Sequence, residues 1–173
     1  TLRAFVEARA DRVDLRVLSA GLYAGARALS VSAHPGLVRE SVRVAELTGA
    51  HFGAGYRWTV AEGSTVMDST DAATGLEALL AQPGVDTLRT LEAMQHAWFV
   101  DGVRVSDPAT DRVCAAELGL SPLAVACSYA APVTRGRARA GLRAARGLSV
   151  ESYPALLLAT AGGNHHRLGG PLT

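Results

Sequence analysis

A chain of 173 residues is long enough for one domain, or for one domain carrying a large insertion; its 49% hydrophobic content can bury a core, and 19% charged residues argue against disorder. A formal net charge of +1 gives no electrostatic reason to expect nucleic acid or an anionic membrane as a partner. No apolar run approaches the roughly 18 residues of a spanning helix, and the two cysteines, Cys114 and Cys127, fit neither a zinc site nor a disulfide framework, which favours a reducing compartment.

The chain opens in a helical pattern from Thr1 to Ala8, with Leu2, Phe5 and Val6 on one side and no turn or cap before it. Such an opening suggests that something upstream has been lost. Val13 to Leu18 alternates apolar and charged residues and is expected to be a half-buried strand. Ser19 to Ala33 is small-residue and Gly-containing, a connecting loop. Leu37 to Leu47 has helical spacing and is stopped by Thr48-Gly49. His51 to Val66 sets Phe52, Tyr56 and Trp58 among three glycines and is ambiguous.

From Asp68 the pattern is helical almost to Gly147. Helices are expected over Ala72–Leu80, over Thr87–Phe99 behind an Asp86 cap, and over Ala109–Leu118 and Leu123–Tyr129. The last two follow the cap-plus-proline pairs Asp107-Pro108 and Ser121-Pro122. A final helix is expected from Val133 to Arg146. The period then changes: Tyr153-Pro154 leads into the apolar run Ala155–Ala159, Gly162-Gly163-Asn164 makes a turn, and His165–Leu168 is the return strand of a hairpin. Strand segments flanking a helical block predict an α/β domain with a helical insertion, in which Val13–Leu18 shares one sheet with the hairpin.

That order, with several local strings, resembles the DsbA-like family of thioredoxin-fold proteins, particularly its cytoplasmic bacterial branch of the FrnE type, which implies a cytoplasmic location. The strings are Glu46-Leu47-Thr48-Gly49 with Phe52-Gly53, then Asp68-Ser69, then Gln95-His96-Ala97-Trp98-Phe99 with Asp101-Gly102. Ala116-Glu117-Leu118-Gly119-Leu120 and Gly147-Leu148-Ser149-Val150 follow, the latter running into Tyr153-Pro154-Ala155-Leu156-Leu157-Leu158. The resemblance implies a thioredoxin-like fold with an inserted helical subdomain, truncated before its opening strand and dithiol turn and also after the hairpin. Residues 1–33 and 148–173 would form the thioredoxin-like α/β part, and residues 34–147 the mainly helical insertion with its connecting helices.

The activity implied is thiol–disulfide exchange, as oxidoreductase or isomerase, on protein or peptide thiols and disulfides. The nucleophilic Cys-x-x-Cys is expected before Thr1, so no catalytic residue lies within the chain. Pro154 matches the family's cis-proline, and Ser152, Tyr153 and Pro154 would bind the substrate chain. The resemblance implies no metal and no resident cofactor, and leaves room for glutathione. Two other functions compete: a glutathione-dependent isomerase or transferase of the kappa or hydroxychromene-carboxylate isomerase type, and a redox-silent interaction domain. The residues upstream of Thr1 discriminate among the three.

Other candidates have simpler explanations beside the functional ones. Cys114 and Cys127 are expected to be buried free thiols rather than a second redox pair. Asp68-Ser69 is expected to cap a helix through Ser69, or to border a groove between subdomains. His165 and His166 are adjacent in a strand and point to opposite faces, so they cannot easily share an ion. His34 and His51 are isolated, and His96 is expected to pack between helices. Arg135, Arg137, Arg139, Arg143 and Arg146 form a basic stretch, with the last three on one helix face. They are a solvated face, or they hold an acidic peptide or a glutathione carboxylate. Phe52, Tyr56, Trp58 and Trp98 are core aromatics or groove walls.

Overall fold

A computed structural model describes residues 2–148, 150, 152–160 and 162–169. Local chemistry sets most helix starts. Helix α1 covers Leu2–Glu7, α2 Leu37–Thr48 and α3 Ala54–Glu62; α4 covers Ser69–Leu80 and α5 Thr87–Phe99. Then come α6 (Pro108–Glu117), α7 (Pro122–Ala130) and α8 (Pro132–Gly147). Asp86 accepts a hydrogen bond from the Arg89 N–H at 2.6 Å, Asp107 from Ala109 at 2.8 Å and Ser121 from Ala124 at 3.3 Å. Each cap satisfies a first-turn donor that has no partner inside its own helix. Pro108, Pro122 and Pro132 fill first-turn positions, where a missing N–H costs nothing. Gly49 and Gly63 end α2 and α3 in the left-handed region, with φ of 73° and 77°.

The main core lies among α4, α5, α6 and α7, where Leu76, Leu79, Met94, Cys114 and Val125 are buried together. Helix α8 packs along α4 through a smaller cluster of Ala73, Ala138 and Leu142. Strand β1 (Leu156–Ala159) pairs antiparallel with β2 (His165–Gly169), with Leu157 opposite Arg167 and Leu158 opposite His166. Its turn is closed by a Gly163 N–H to Thr160 C=O bond at 2.9 Å.

The structure departs from the sequence expectations over residues 13–18 and settles a stretch that the sequence left open. Residues 13–18 join no ladder among the described residues, so the predicted strand is not formed and the sheet has two strands rather than three. The alternation that suggested it is nevertheless retained: Val13, Leu15 and Val17 are half-buried, while Asp14 and Arg16 are exposed. Alternation reports which side is covered, whereas a strand also needs a neighbour for its backbone N–H and C=O groups. The ambiguous stretch around Phe52 contains helix α3, with its glycines in contact with another segment. Ser19 to Ala33 is a loop, as expected, punctuated by single helical turns at Gly25–Arg27 and Val31–Ala33.

Candidate functional site

The basic run of α8 forms one wall of an open cleft of about 570 Å³. Residues four apart on a helix share a face, and so do residues three apart. Arg135, Arg139, Arg143 and Arg146 therefore follow one edge of α8, and all four line the cleft together with Leu142. Arg137 does not line it. The opposite wall is Asp68 and Thr70 at the start of α4, with Ala24 and Gly25 from the loop.

That loop is held close by two devices. Gly21, at φ 72°, lies against Leu142; a Cβ there would stand 2.8 Å from Leu142 Cδ2. Tyr23 and Ser69 exchange bonds: the Ser69 N–H donates to the Tyr23 carbonyl at 3.0 Å, and the Tyr23 N–H donates to Ser69 Oγ at 2.9 Å. Ser69 is thus not the cap. The cap is Asp68, which accepts from the Thr70 N–H at 2.7 Å and lines both this cleft and a smaller, mainly apolar one of about 130 Å³ beside Trp98.

Charge in the larger cleft is unbalanced. Arg135 donates to Asp71 Oδ1 at 2.7 Å, and that bond holds its guanidinium further toward the charged form. Arg139, Arg143 and Arg146 are exposed and make no hydrogen bond or ion pair among the described residues. The only carboxylate lining the cleft among the described residues, Asp68, is turned to its own helix. The site is therefore suited to anions.

The segment assigned to substrate lies at the entry to β1. The Tyr153–Pro154 peptide is cis, Tyr153 and Pro154 are exposed, and Ser152 Oγ accepts a bond from Arg167 of β2 at 3.0 Å. His165 and His166 are exposed on the hairpin. His96 does not pack between helices as expected: it is exposed, with Nδ1 3.1 Å from an Asp101 carboxylate oxygen, because it faces outward from the last turn of α5. Tyr56 is buried among Phe52, Trp98 and Phe99, with ring centroids 5.3–5.7 Å apart. Trp58, on the other side of α3, is 70% exposed.

Cys114 and Cys127 are both free, but they differ in setting. Cys114 is fully buried, and burial pushes its thiol up to about 11. Cys127 is exposed on α7, contrary to the expectation that both are buried, because α7 presents that side to solvent. A thiol reagent at neutral pH is expected to modify one thiol in the native protein and two after denaturation. Rapid modification of both in the native state would contradict this placement.

Neither the family models nor the curated proteins contain a match to the sequence. Solved structures do. The cytosolic disulfide reductase DsbM from Pseudomonas aeruginosa superposes with a TM-score of 0.80 at 23% identity, over 96% of this chain and 80% of that one. The same protein determined with GSH gives 0.75 at 22% identity, over the same shares. A candidate protein disulfide isomerase from Nitrosomonas europaea gives 0.68 at 17% identity, over 81% of this chain and 67% of that one.

The chain has the DsbA-like thioredoxin fold. On this DsbA-like scaffold, part of the cleft is legible in the sequence, since the spacing of Arg139, Arg143 and Arg146 puts them on one face. The facing wall is legible only at Asp68, which the sequence sets at the border of a groove; Ala24 and Gly25 come from a loop distant in sequence and carry no motif shared with it. Sequence reasoning also misses a buried carboxylate, Asp111. Its one signal is the apolar pair Cys114 and Ala115 three and four residues on, which marks that side of α6 as inward.

Proposed function

We propose that the chain is the greater part of a thiol–disulfide oxidoreductase domain acting in the cytoplasm, with its dithiol in sequence preceding Thr1. The observation that carries this reading is the likeness to a disulfide reductase over 96% of the chain. In the proposed cycle, a thiolate at the start of the first helix attacks a substrate disulfide. One sulfur leaves as a thiol, and a mixed disulfide forms. The second cysteine of the dithiol then displaces the other substrate sulfur, so the substrate is reduced by two electrons and the dithiol is oxidised. Ser152, Tyr153 and Pro154 would lie along the substrate chain. The Arg167 to Ser152 bond ties their turn to β2 and keeps that edge in place.

The chain's own thiols are unsuited to this chemistry. Exchange needs an accessible thiolate of lowered pKa. Cys114 is buried with its thiol pushed up, and Cys127 lies in the middle of α7 and belongs to no Cys-x-x-Cys pair. Residues 1–173 alone are therefore expected to show no insulin reduction above background, whereas the protein with its natural preceding segment is expected to reduce insulin if that segment carries Cys-x-x-Cys. Strong reduction by residues 1–173 would show that the active site has been placed wrongly.

A glutathione-dependent isomerase or transferase is the second reading, favoured by the cationic cleft and by the GSH in one of the similar structures. A serine in place of the first cysteine, with glutathione-dependent turnover of a small electrophile, would decide for it.

A further inference from the structure

The arginines of α8 form a row rather than a ring. Four residues of helix rise about 6 Å and three about 4.5 Å, so Arg135 to Arg146 spans about 16 Å of one edge. A small anion can touch only two neighbours in such a row. Side chains two apart in an extended peptide lie on the same side, about 6.7 Å from one another. That repeat is near the roughly 6 Å Arg139–Arg143 rise and exceeds the roughly 4.5 Å Arg143–Arg146 rise by about 2 Å, a difference that long arginine side chains can span. Guanidinium groups bind carboxylates through paired N–H donors, and these three have no such acceptor among the described residues. The cleft is open, and its far wall is held by the Gly21–Leu142 contact and the Tyr23–Ser69 bonds, so its width is built in.

We infer that this cleft is a recognition site for an extended acidic peptide segment with carboxylates at alternate positions, lying along α8. Arg135 is already engaged by Asp71 and forms one end of the row. Arg139, Arg143 and Arg146 take the carboxylates. The identification of the ligand as a segment of a protein substrate rests on the exchange reading, but the binding itself needs no thiol.

The test is fluorescence anisotropy with a labelled short peptide carrying glutamate at alternate positions, at low ionic strength, on the natural protein. The same peptide with glutamine is the neutral probe, and inorganic phosphate and glutathione are competitors. The glutamate peptide is expected to bind at least about tenfold more tightly than the glutamine peptide. Arg139→Gln with Arg143→Gln is expected to weaken it about tenfold. Arg89→Gln, an exposed charge on α5 outside the cleft, is expected to leave it unchanged, and circular dichroism checks that each variant is folded.

Equal binding of the two peptides, no effect of the double variant, or an equal loss in Arg89→Gln would overturn the proposal. So would tighter binding of phosphate or glutathione than of the peptide, which would make the cleft a small-anion site. Peptide binding in a protein without any reductase activity would leave the cleft standing and remove the exchange reading instead.

Discussion

Replacing Asp111 with Asn is expected to stabilise the protein at pH 8 by about 2 kcal/mol and to leave it no more stable than the parent at pH 4. Asp111 lies in the first turn of α6, is 2% exposed, and neither carboxylate oxygen has a hydrogen-bond partner among the described residues. Oδ1 sits against Gly75 of α4, so close that a Cβ there would be 2.2 Å away. Burial first, and the Asp107 charge second, push its pKa from 3.8 to about 7. The sign of the effect follows from proton counts. Between those two values the folded chain keeps a proton that the unfolded chain has released, so stability falls as pH rises through this window. It is fully present below pH 3.8 and levels off above about 7.

The whole displacement corresponds to about 4 kcal/mol. A buried amide without partners costs about 1–3 kcal/mol of its own, which leaves the smaller net gain. Urea denaturation of parent and variant at intervals from pH 4 to pH 8 checks it. Parallel stability profiles would mean that Asp111 is solvated or paired.

Gly55→Ala is expected to cost about 3 kcal/mol, although alanine is the better helix former by about 1 kcal/mol. Gly55 is in the first turn of α3, and a Cβ there would stand 2.1 Å from the backbone oxygen of Asp101. A Cβ at Gly53 would stand 2.1 Å from the Val100 oxygen. Main chain has no rotamer to change, so the clash can be relieved only by moving α3 off the end of α5. That movement would stretch the Gly53 N–H to Phe99 C=O bond at 2.8 Å and the Thr59 Oγ1 to Gly102 C=O bond at 2.8 Å. It would also part Tyr56 from Trp98 and Phe99. The checks are the urea midpoint and the near-ultraviolet circular dichroism of these aromatics. An unchanged midpoint would show that the two segments are not in backbone contact.

The glycines around Phe52 illustrate why part of this fold could not be read directly. In a sequence, glycine signals chain freedom, so Gly53 and Gly55 among aromatics suggest a loop. Here they allow two backbones to touch, a role defined only by Val100 and Asp101, more than forty residues away. Asp68-Ser69 is similar. That a cap stands there is a local matter; that Asp68 does the capping while Ser69 clasps Tyr23 depends on where the loop returns.

What the sequence determined by itself is the set of local choices. The Asp86, Asp107 and Ser121 caps, the first-turn prolines, the α2 stop at Gly49 and the hairpin after Pro154 involve residues a few positions apart. Their energies are settled within one turn of chain. The order of short strings along the chain is itself enough to suggest the DsbA-like fold. Tertiary structure alone decided the rest. It left residues 13–18 without a ladder, buried Asp111 against Gly75 and exposed Cys127. It also set the arginines of α8 across from Asp68 and Gly25 to make a cleft. Each of these depends on a neighbour remote in sequence, and periodicity says which side of an element faces inward but not what it will meet there.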